Sequence, residues 1–113
     1  MSDAALRERC GTATRLRRDL AGLADGFGNL LSHDERAWKS ITFTGTRHFV
    51  RLRFDGAAAI TGGEQLIAGL ADHEFKLPGQ LVAEAVIVAV RHHVAIDPPF
   101  MEIDAELLLL EEG

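Results

Sequence analysis

The residues able to do chemistry gather in the last third of the chain. Arg91, His92 and His93 sit at the end of one apolar stretch, and Glu102, Asp104 and Glu106 alternate through the next. Imidazoles mixed with carboxylates are the raw material of general acid/base catalysis, or of a site for a small cation. Neither chemistry is specified here. No nucleophile is tied to a histidine by spacing, and no glycine-rich loop precedes a lysine. His92 and His93, the pair that most resembles a metal signature, are adjacent. On a strand, adjacent side chains point to opposite faces, so the two rings do not converge on one ion. The sequence therefore assigns no catalytic residue and no reaction, and it leaves open whether the protein is an enzyme.

The elements that must position these groups are strands. Leu81 to Ile96 reads as one long strand with Val82, Val86, Val88, Val90, Val94 and Ile96 on one face, interrupted by Glu84 and His92. The other face carries Leu81, Ala83, Ala85, Ile87 and Ala89, then Arg91 and His93. Asp97-Pro98-Pro99 breaks the run. Phe100 to Leu110 then alternates Met101, Ile103, Ala105, Leu107 and Leu109 against Glu102, Asp104 and Glu106. Joining the two apolar faces through a four-residue loop pairs Ile96 with Met101. His93 then meets Asp104, and Arg91 meets Glu106. Arg91, His93, Glu102, Asp104 and Glu106 form the candidate ligand-binding patch, with the arginines of an earlier hairpin as neighbours. The plainer reading is a ladder of ion pairs worth about 0.2 to 1 kcal/mol each. No metal is expected there, because same-face residues on a strand lie about 7 Å apart.

Upstream, His73 to Leu77 alternates before a Pro78-Gly79 turn. Pairing Leu77 with Gln80 sets His73 against Glu84, a candidate buried polar pair. Lys39 to Phe54 reads as a hairpin turning at Gly45-Thr46, with Ile41, Phe43, His48, Val50, Leu52 and Phe54 toward the core and Arg47, Phe49, Arg51 and Arg53 away from it. His48 is a core-edge histidine on this reading, since no second ligand lies at useful local spacing.

Asp3 to Asp25 has helical periodicity, with Leu6, Ala13, Leu20 and Phe27 at one heptad position and Leu16, Leu23 and Leu30 at another, and Ser2 as its cap. Ser32 and Glu35 have capping-box spacing for a short second helix ending at Ala37 or Trp38. Thr61 and Glu64 have it for a helix carrying Leu66, Ile67, Leu70 and Ala71. Residues 57–60 are either a brief strand or the approach to that helix. Gly62-Gly63 reads as a tight turn rather than a phosphate cradle.

The whole is a single α+β domain over residues 1–113. A helical segment spans 1–38, and 39–113 forms a mainly antiparallel sheet with one short helix, in the order β-hairpin, helix, three-stranded meander, with the helices packed on one face. Alternation alone does not say whether that sheet is open or a barrel.

With 47% hydrophobic and 26% charged residues, the chain belongs to the globular class and not the disordered one. A single Cys10 and no export signal point to the cytoplasm, and no run is long and apolar enough for a membrane span. Residues 1–54 carry ten basic against six acidic side chains and residues 55–113 two against eleven, so the halves are opposite in sign. Mutual neutralisation explains that better than nucleic-acid binding, which would want stacking aromatics among the arginines. The expected function is a non-enzymatic cytoplasmic binding or assembly module that self-associates as a homo-oligomer through Leu81, Ala83, Ala85, Ile87 and Ala89. The alternative is a small enzyme or ligand-binding protein using the Arg91 patch. No cofactor is expected, and no small-molecule ligand is identified.

Overall fold

A computed structural model describes the backbone of residues 3–112 and the side chains of residues 11–112. The cap expected of Ser2 and the side chain of Leu6 lie outside the described residues. The architecture is α+β. Helix α1 (Asp3–Leu23) leads into strand β1 (Asn29–Lys39), which pairs with β2 (Thr44–Asp55). Helix α2 (Ala57–Gly69) and a 3-10 turn (Leu70–Asp72) carry the chain to β3 (Gln80–His93), and β4 (Phe100–Glu111) returns between β2 and β3. All pairings are antiparallel, in the order β1-β2-β4-β3. The sheet is open, with β1 and β3 as its edges.

The core forms on one face only. β4, flanked on both sides, supplies Met101, Ile103, Ala105, Leu107 and Leu109. β2 adds Val50, Leu52 and Phe54; α1 lays Leu16 and Leu20 over them, joined by Ala24 in the turn just past its end, and α2 lays Ala59, Ile60 and Leu66. The strict alternation of β2 and β4 puts these apolar side chains inward and the arginines and carboxylates outward.

Four expectations are corrected. Residues 32–38 are not a helix but most of β1. Ser32 and Glu35 have only the spacing of a local cap, whereas His33, Glu35 and Ala37 alternate with Asp34, Arg36 and Trp38, and a full ladder to β2 outweighs one capped turn. The hairpin accordingly turns earlier than expected, at Ser40 to Phe43. There the Ser40 hydroxyl accepts the Phe43 amide at 2.9 Å, and the Ser40 amide donates to the Phe43 carbonyl at 2.9 Å. Ile41 is thus fully exposed and Phe43 is 48% exposed, neither in the core. Gly45 lies inside β2, opposite Trp38 and Leu110, where a Cβ would run into the Leu109 carbonyl oxygen.

Residues 73–77, the third correction, form no strand. The Leu77–Gln80 turn is present, closed by the Gln80 amide on the Leu77 carbonyl at 3.0 Å with Gly79 at φ 77°. Last, the second helix begins at Ala57 after Gly56, so residues 57–60 are helical and Gly62-Gly63 lie within the helix rather than in a turn.

Strand β3 departs most from simple alternation. Its register on β4 shifts twice, between Val82 and Glu84 and between Ile87 and Ala89. Each bulge inserts one residue and flips the faces. Val82, Ala85, Ile87, Val90 and His92 consequently pair with the inward residues of β4, while Leu81, Glu84, Val86, Ala89, Arg91 and His93 pair with its outward ones. The valine face and the alanine face of the sequence reading are interleaved.

Candidate functional site

The outer face of β2, β4 and β3 carries the expected charged patch, with different partners. Arg91 pairs across from Glu102 and His93 from Phe100, because β3 ends at His93 and the loop is longer than four residues. Arg91 donates to Glu102 at 3.3 Å and to Asp104 at 2.8 Å. Arg51 of β2 grips the same Asp104 through Nε at 2.8 Å and Nη2 at 3.2 Å. Arg47 donates to Glu106 at 2.8 Å and to Glu84 at 3.2 Å. Arg47 and Glu84 both pair with Leu108, so their bridge lies over that leucine, which is buried. The arginines of β2 are therefore integral members of the patch.

His93 takes no part in the ion pairs. It stacks on Phe100 with 4.3 Å between ring centres, and Arg53 of the opposite neighbouring strand lies 3.8 Å from the same ring.

Hydrogen bonds from Arg51, and then from Arg91, hold the Asp104 carboxyl below its ordinary range, while its partial burial opposes this. The same bonds raise the Arg51 and Arg91 guanidiniums. Each charge is used on another. Because Asp104 separates two guanidiniums, Asp104→Ala is expected to cost about 1 to 2 kcal/mol, more than a lone surface pair. Urea unfolding checks this, and the cost should shrink in about 1 M salt, where the Debye length is about 3 Å.

A second cluster lies on the inner face, where β1 meets β2 beneath α1. Glu35 is the cross-strand partner of His48, and His33 precedes it by two residues on the same face. Nε2 of His33 stands 2.8 Å from Nδ1 of His48, and Arg17 of α1 places a guanidinium nitrogen 3.1 Å from Nδ1 of His33. An arginine only donates, and that decides the tautomers. His33 accepts at Nδ1, carries its proton on Nε2 and donates it to His48. Burial pushes the His48 imidazole down to about 4, with His33 adding to the effect and Glu35 opposing it. Burial, then Arg17, lowers His33 as well. Sequence reading missed this cluster because it assigned residues 32–38 to a helix. The available signal was the His33-x-Glu35 spacing, which shares a face only on a strand.

The expected His73–Glu84 pair does not form. Glu84 faces outward to Arg47, whereas His73 lies beside α1 with its Nε2 3.9 Å from Asp19, that nitrogen buried and without a hydrogen-bond partner among the described residues. Nor do Leu81, Ala83, Ala85, Ile87 and Ala89 share one surface. Ala85 and Ile87 pack on the core, and Leu81 and Ala89 pair outward. His92 and His93 do fall on opposite faces, opposite Met101 and Phe100. A shallow cleft of about 480 Å³ runs beside the β3 edge, lined by His73, Phe75 and Val82 among others.

Fold and surface together define a small α+β protein with an open four-stranded sheet, two helices on its inner face and a self-paired charged outer face. No family model and no curated protein matches the sequence. A chain in the solved structure titled "Virion of native gene transfer agent (GTA) particle" is similar in fold, with a TM-score of 0.53 and 16% identity over 90% of this chain and 92% of that one. At that identity the likeness is one of fold.

Proposed function

We propose that this chain is a cytoplasmic, non-enzymatic subunit that associates with further copies of itself through the free edge of β3. The observation that carries the reading is the character of that edge. β3 runs for 14 residues without lysine or proline, its two bulges leave Ala89–His93 as an unbroken stretch of ladder, and Val86, Val88 and Val90 are each about half exposed along it. Beyond the strand, Val94 and Ile96 are exposed as well. An uncovered apolar strand edge is a template for pairing with another strand, and an identical chain supplies the same edge in antiparallel orientation. The similar fold of a virion chain supports a role in assembly. Among the described residues no helix is long and apolar enough to cross a membrane.

The alternative, a ligand site at Arg91, His93, Glu102, Asp104 and Glu106, has less support, because the guanidiniums and carboxylates already bond one another. Sedimentation equilibrium across the micromolar range tests the proposal. The expected result is a mass that rises with concentration and returns toward monomer in Val88→Lys, which places a charge on the edge at a position 53% exposed. A monomer at every concentration overturns it.

A further inference from the structure

The inner-face cluster carries an inference that holds whether or not the chain self-associates. We propose that His33, Glu35 and His48 form a binding site for one divalent first-row transition-metal ion, zinc by its donor set, with water completing the coordination. One ligand atom from each residue lies within 4.8 Å of the others. Two imidazoles and one carboxylate are a zinc-type set, and bonds of about 2.0 Å in a tetrahedron put ligand atoms about 3.3 Å apart. The two facing nitrogens are already 2.8 Å apart, so small side-chain rotations open the space an ion needs.

The scaffold is rigid where it matters. All three residues stand on two strands paired through this region, and His48 is buried, whereas Glu35 is exposed and keeps one side of the site open to water. Among the described residues no other group of three or more histidines, cysteines and acids converges in this way.

Arg17 is the element that restrains the site. An ion held by Nε2 of His33 requires that ring's proton on Nδ1, so the proton passes through water from one nitrogen to the other with no net release. Nδ1–H would then face the guanidinium, donor against donor, and Arg17 must turn away. A hydrogen-bond acceptor in its place would instead orient the ring as carboxylates and carbonyls do behind metal-bound histidines. Arg17 is thus a gate on affinity, and removing it should strengthen binding.

The test is titration of the chelator-treated full chain with Zn²⁺ by calorimetry and with Co²⁺ by visible absorption. The expected results are one equivalent bound with the intense ligand-field band of four-coordinate Co²⁺, weakening of about tenfold or more in Glu35→Gln and in His33→Asn, and tightening in Arg17→Gln. Glu35 is an exposed edge-strand residue, so Glu35→Gln retains the fold and circular dichroism verifies it. Equal affinity of the wild type, Glu35→Gln and His33→Asn would overturn the proposal. So would weaker binding in a folded Arg17→Gln.

Discussion

Acidifying the metal-free protein from about pH 7 to about pH 4 is expected to remove on the order of 1 to 3 kcal/mol of stability, with most of the loss above the range where carboxylates titrate. The cause is His48. In the unfolded chain an imidazole binds its proton near the ordinary value of 6.5, whereas in the fold it resists until about 4. Between those values the unfolded state holds the extra proton, so stability rises with pH through the window and falls as the solution is acidified. Below about 4 the native state protonates too, and this group contributes no further loss. His33, lowered for the same reason, adds to the slope in the same direction. The charged group opposing it is Glu35, and Arg17 reaches His48 only through His33. Urea unfolding at several pH values with a chelator present measures the slope. It should be largely abolished in His48→Gln, and a wild-type profile flat from pH 7 to 4.5 would count against this account.

Gly62→Ala is expected to destabilise by about 2 to 3 kcal/mol, although alanine ordinarily gains about 1 kcal/mol over glycine inside a helix. Gly62 lies within α2, where the helix passes the end of α1. An added Cβ would meet the carbonyl oxygen of Ala24 and come within 2.9 Å of the Phe27 ring. The ring can rotate. The carbonyl cannot retreat cheaply, because it accepts the Phe27 amide at 3.1 Å in the turn that leads to β1. Gly22 in α1 is the internal control. A Cβ there meets nothing within 4 Å among the described residues outside its own turn of helix, so Gly22→Ala should raise stability by about 0.5 to 1 kcal/mol. Opposite signs for the same substitution, read as opposite shifts in thermal midpoint, would separate close packing from helix propensity. Two shifts of the same sign would show that the contact between α2 and the Ala24 turn yields to an added methyl group.

These two predictions rest on features of different visibility in the sequence. Gly62-Gly63 is conspicuous, yet its environment is not, since the residue it touches lies almost forty positions earlier. His48 was placed correctly on the inner face of its strand by alternation. What surrounds it was not readable, because the capping-box spacing of Ser32 and Glu35 pointed to a helix and so scattered His33 and Glu35 around an axis. The charged outer face was legible in its membership: Arg91, His93, Glu102, Asp104 and Glu106 do share one face. Its pairings were not. Arg91 meets Glu102 rather than Glu106 because the strand ends earlier than its apolar run.

The sequence by itself determined the helix from Asp3, the inward and outward sets of β2 and β4, the turn at Pro78-Gly79 and the division of His92 from His93. All of these follow from periods of 3.6 or 2 that covalent geometry imposes on neighbouring residues. Only the tertiary structure decided the two bulges of β3, the strand identity of residues 29–39 and the convergence of Arg17, His33, Glu35 and His48. A bulge changes which face a residue serves without changing its neighbours in sequence, and a strand is chosen over a short helix when a distant partner completes its hydrogen bonds. Those decisions belong to pairings between segments far apart in the chain, which local periodicity does not encode.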